Sequence, residues 1–127
     1  MGKRLIFALL AVALNGAAFA EAEFDFEELM NDVETKIQNV QNNIAAKDAN
    51  TAATQARELQ EEFKLVEGYF TKRGDADDGA HNAKEYQDKA VTIQNALSAG
   101  DFDSAAAAAN DFSKQCRGAC HDKYKPL

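Results

Sequence analysis

Two thiols and an imidazole stand close together near the end of the chain. They lie in Cys116-Arg117-Gly118-Ala119-Cys120-His121, followed by Asp122-Lys123-Tyr124-Lys125. Cys-x-x-Cys-His is the spacing of c-type haem attachment. Here one extra residue separates the cysteines. In that chemistry each thiol adds across a haem vinyl group to form a thioether, and the adjacent imidazole becomes the proximal iron ligand. Cys116 and Cys120 are then the attachment points and His121 is the metal ligand. Three other readings of these residues stay open. A disulfide within one helical turn wants Cβ atoms roughly 3.5–4.5 Å apart, whereas helical residues four apart hold theirs about 5–6 Å apart. The thiols also suit a pair of small buried core residues. A zinc site would need a fourth ligand that the spacing does not supply.

Met30 is the only methionine besides Met1. A methionine on an apolar stripe is ordinarily core filler. A thioether facing an imidazole across a haem, however, gives a six-coordinate iron and raises its reduction potential. Met30 is the expected second iron ligand. Tyr124, three residues past His121, can stack on the site's edge, or it is a terminal aromatic. Arg117 and Lys125 can pair with haem propionates, or they form a solvated basic face. His81, the other histidine, reads as a solvated residue in a connection.

These groups need helices to position them, and the apolar residues supply the pattern. Phe26, Met30, Val33, Ile37, Val40 and Ile44 form one stripe at alternating three and four spacing. Ala52, Ala56, Leu59, Phe63, Val66 and Phe70 form a second. A third runs through Ala83, Tyr86, Ala90, Ile93 and Leu97. The fourth takes Phe102, Ala106, Ala109, Phe112, Cys116 and Ala119. Four such stripes predict four amphipathic helices. Lys47-Asp48-Ala49-Asn50 predicts the first break. Gly74 to Gly79, with Asp75, Asp77 and Asp78, predicts the longest one. Gly100 suits a helix C′ position and Asp101 the next N-cap. Short connections make neighbours antiparallel, so the expected fold is an all-α, up-down-up-down antiparallel four-helix bundle. In it Met30 and His121 fall at the same end, roughly 5–10 Å from the edge. Phe63, Val66, Phe70 and Tyr86 are expected to wall the cavity there. The acids are expected on exposed helix faces. The alanine-rich second and fourth helices make the core thin, and a cofactor would add apolar mass.

Residues 1–20 read as a cleaved signal peptide. Lys3 and Arg4 precede the apolar run Leu5 to Leu14, and Ala18-Phe19-Ala20 is a small-x-small cleavage site. The run is too short to span a bilayer, and the start lacks the cysteine of a lipoprotein anchor. Residues 21–127 are then a four-helix-bundle haem domain in the periplasm, an oxidising compartment where idle thiols are not expected to persist. Without Lys3 and Arg4, twelve basic residues face twenty-one acidic ones, a net charge of −9. Nucleic acid and membrane surfaces are not expected partners. Proteins with basic docking surfaces are, though the same charge also serves solubility alone. A monomer and a homodimer are equally compatible with the sequence.

A four-helix bundle with a haem-attachment motif and a tyrosine, Tyr124, in its final turn resembles the class II cytochromes c, a group that includes cytochrome c′ and its methionine-ligated relatives. The stretch from Ala99-Gly100-Asp101 through Ala105–Ala109 to Arg117-Gly118-Ala119-Cys120-His121-Asp122-Lys123-Tyr124-Lys125 also looks like the last helix of the cytochromes b562. The resemblance implies a haem held near one end of the bundle. A methionine near the start of helix 1 and a histidine near the chain end would hold the iron, and Met30 and His121 match those places. Two departures stand out: the three-residue gap between the cysteines, and Lys125 where these families often have Arg. The first leaves open attachment through one thioether, or a non-covalent b-type haem.

The expected function is a periplasmic one-electron carrier and not an enzyme, since no nucleophile–base pair, facing carboxylates or phosphate-binding glycine loop appears in the sequence. A five-coordinate, cytochrome c′-like protein binding nitric oxide or carbon monoxide is the alternative. A haem-free exported bundle is a further one.

Overall fold

The computed structural model describes residues 25–116. These form four helices: α1 (Phe26–Ala45), α2 (Ala49–Arg73), α3 (Asp77–Ser98) and α4 (Phe102–Cys116). The all-α bundle expected from the stripes is therefore the fold. Each helix packs on its chain neighbours and α4 closes the ring against α1.

Cross-links between helices show the antiparallel register. Asn43 donates to Gln55, and higher up the same seam Lys36 bonds Glu62. Gln94 donates to Gln60, while Gln87 donates to the Phe63 carbonyl. Lys89 bridges α3 to Asp111 of α4 at 3.0 Å. Gln41 donates to Asn110, and the Lys47 ammonium lies 4.7 Å from the Phe102 ring centre.

Buried apolar side chains follow the predicted stripes closely. Every residue of the second and third stripes is buried, and so is the first from Met30 to Ile44. Phe26 is half-buried against the core. The fourth stripe departs in register at its start: Ala105, not Ala106, is buried, and Phe102 is half-buried. In a run of five alanines no side chain differs from its neighbours in hydropathy, so packing alone selects the inward face.

The breaks are shorter than the sequence suggested. Asp48 caps α2 by accepting the Thr51 N–H at 3.1 Å, so Ala49 and Asn50 are already helical. Gly74, at φ 75°, ends α2 in the left-handed region. α3 then starts at Asp77, which brings Gly79 and His81 into the helix. His81 is exposed there, 3.5 Å from Glu85 on the next turn. Gly100 fills the C′ position as expected, at φ 71°. Asp101 N–H reaches back to the Ala96 carbonyl, and Gly100 N–H to that of Leu97, the paired bonds of a Schellman turn. Asp101 accepts from both the Ser104 hydroxyl and its N–H, which hold its carboxyl below the usual range. Among the described residues no helix is long and apolar enough to cross a membrane.

Candidate functional site

The α1–α4 seam sets the height of the candidate donors. Its two cross-links, 41 with 110 and 47 with 102, pair residues whose numbers add to about 150. By that register Cys116 stands level with position 34, one helical turn of about 5.4 Å from Met30. Met30 is 7% exposed and Cys116 3% exposed, and both belong to the core cluster. Two soft sulfur donors therefore point inward at one end of the bundle.

Aromatic rings surround this end. Phe63, Tyr86 and Phe112, one each from α2, α3 and α4, form a three-ring cluster with centroids 5.1 to 5.5 Å apart. A second cluster seals the α1–α2 corner. Phe26 stacks on Tyr69 at 4.7 Å and meets Phe70 edge-on at 5.6 Å. Phe70 lies fully buried against the backbone of Gly79, where a Cβ would come within 2.8 Å of its ring. The predicted walls Phe63, Val66, Phe70 and Tyr86 are all buried here, and Phe112 joins them.

Arg117, Cys120, His121 and Tyr124 lie outside the described residues, as do Lys125 and the signal-peptide stretch 1–20. The structure brings together Met30, Cys116 and the aromatic wall. Among the described residues no three His, Cys, Asp or Glu side chains gather as metal ligands.

Sequence reasoning missed the polar groups inside the bundle. The acids do not all sit on exposed faces: Glu62 is 8% exposed on the α1–α2 seam. Burial pushes its carboxyl up to about 7, even with the Lys36 ammonium bonded to Oε1. Burial alone would lower the ammonium of Lys36, but its bonds to Asp32 and Glu62 outweigh this and raise it. Gln87 is also buried, donating to the Phe63 and Ala83 carbonyls and to Glu67. A signal for these residues did exist. Lys36 is three past Val33, Glu62 three past Leu59, and Gln87 four past Ala83, all on the ticks of the apolar stripes.

At the far end, Gln41, Ile44, Phe102, Ala106 and Asn110 line an open groove of about 250 Å³ between α1 and α4. It is remote from the sulfur donors. No family model, curated protein or solved structure matches this chain.

Proposed function

We propose that this chain is a haem-binding one-electron carrier exported to the periplasm, with iron held by His121 and Met30 and attachment through Cys116 and Cys120. The observation that carries this reading is the antiparallel register of α1 and α4. It sets Cys116, the last described residue of α4, within about one helical turn of Met30, and Cys120 and His121 follow it in the sequence. The described donors fit such a group. A thioether and a thiol are soft ligands, and here both belong to the buried apolar cluster that includes Phe63, Phe70, Tyr86 and Phe112.

A haem iron with two axial protein ligands supplies reversible one-electron exchange. The chain's own part is to hold and to exclude. Met30 is held by α1, whose apolar face packs on both α2 and α4. Phe63, Phe70, Tyr86 and Phe112 keep water from the donors. The excess of acids favours docking of a partner with a basic surface, an attraction that weakens with salt. Arg117 and Tyr124 are assigned to the propionates and the site's edge.

The test is the absorption spectrum of the exported protein, oxidised and then reduced with dithionite. Sharp, split visible bands on reduction are expected, and Met30→Ala should replace them with a broad, unsplit band. A protein without a Soret band overturns the haem assignment. A Met30→Ala spectrum identical to wild type overturns that ligand.

A further inference from the structure

Three carboxylates converge on one ammonium in the α1–α2 seam. Lys36 Nζ lies 2.8 Å from Asp32 and 3.8 Å from Glu58, and it bonds Glu62. Fully ionised, the cluster sets three negative charges against one positive. Asp32 and Glu58 are about half exposed, so water stabilises their charge. Glu62 has no such access. Its Oε1 takes the Lys36 bond, but Oε2 is buried without a hydrogen-bond partner among the described residues. A buried carboxylate oxygen with no donor is costly while charged and far less so when the carboxyl is protonated. The Asp32 carboxylate, held on the same Lys36 ammonium, adds a negative charge that favours the protonated form of Glu62.

The charges facing Glu62 come from two helices: Asp32 and Lys36 on α1, and Glu58 on α2 itself. From α3, the groups that reach α2 near this level are Gln87 and Gln94, both neutral. α4 lies diagonally across from α2.

We propose that Asp32, Lys36, Glu58 and Glu62 form a proton-operated latch between α1 and α2. Glu62 takes one proton from solvent, and the seam holds more tightly in that state than after the proton returns to solvent. The folded carboxyl is pushed up to about 7, whereas its ordinary value is 4.5. Between those values the folded protein keeps a proton that the unfolded chain has lost. The stabilisation is complete below the unfolded value and is lost as pH rises through the folded one. α1 also carries Met30, six residues before Lys36 and so about 9 Å along the helix. The latch therefore places the seating of that helix under pH control. It stands whether or not the protein carries haem.

The experiment follows the thermal midpoint of the purified protein from about pH 5 to about pH 8, beside that of Glu62→Gln. In parallel, the carbon-13 shift of the Glu62 carboxyl is titrated in the wild type. The wild-type midpoint is expected to fall by roughly 10 °C over this interval, and the Glu62→Gln midpoint by less than half as much. The carboxyl resonance is expected to titrate near neutrality. An equal slope in both proteins, or a carboxyl that titrates in the ordinary carboxylate range, overturns the latch. If Glu62→Gln does not fold, the wild-type carboxyl titration decides alone. The readouts are the same with or without a Soret band, so failure of the latch is distinct from failure of the haem assignment.

Discussion

Gly79 and Gly68 are both helical glycines, yet their surroundings give substitution opposite signs. A Cβ on Gly79 would lie 2.8 Å from Phe70 Cγ. Phe26 and Tyr69 flank that fully buried ring, so it cannot shift without disturbing them. Gly79→Ala should cost about 1–3 kcal/mol, as overpacking does. Gly68 is exposed with nothing within 4 Å of its Cβ position. Gly68→Ala should gain up to about 1 kcal/mol from helix propensity. Urea unfolding of the two variants should move the midpoint in opposite directions, and movement in one direction would refute the packing argument. None of this was legible in the sequence, where Gly79 reads as one more residue of a glycine- and aspartate-rich break. Met30 and Cys116 were legible, because both fall on an apolar stripe and the stripe decides which way they face. Glu62 escaped notice because it sits beside Phe63 in a run of charges, and a stripe is read from its apolar members.

At the scale of the element, the sequence predicted helix interiors better than helix ends. Periodicity is a property of many residues, whereas an end depends on one or two side-chain bonds. Asp48 illustrates the point. Read by composition, Lys47-Asp48-Ala49-Asn50 is a polar break. In the structure Lys47 takes φ 61° to finish α1 and Asp48 at once caps α2. The connection is tight because two caps share adjacent residues. Asp48→Ala should therefore destabilise the protein by about 1 kcal/mol through loss of the Thr51 bond. Asp48→Asn, which keeps an acceptor oxygen, should retain most of that. Equal losses in the two variants, measured by urea unfolding, would show that the carboxylate acts through its charge rather than as a cap. α3 has no comparable device: Ala76 precedes it without a side-chain cap, and the buried Gly79–Phe70 contact anchors its first turn instead.

At the scale of the whole molecule, the described residues form a closed ring of four helices around a thin core. Seven of the twenty-one buried apolar residues described are alanine. Each buried Leu, Ile, Val or Phe contributes roughly 1.5–3 kcal/mol, and an alanine much less. Alanines let helices approach closely, yet they leave little apolar mass between them. The large side chains Phe63, Phe70, Tyr86 and Phe112 concentrate at the end that holds Met30 and Cys116. Among the described residues, Phe102 is the one aromatic ring lining the open groove at the far end of the α1–α4 seam, beside Ile44 and Ala106. A ligand that binds the folded chain and not the unfolded one adds stability by mass action, about 3–4 kcal/mol at a hundred to a thousand times its dissociation constant. For a domain of this size that is a rise in melting temperature of roughly 10 °C or more. If the aromatic end is a haem site, the protein produced with haem should melt that much higher than the same chain produced without it. Calorimetry on the two preparations makes the comparison. Equal melting temperatures would mean that this end is complete as a core without a cofactor, and the concentration of aromatics there would serve packing alone.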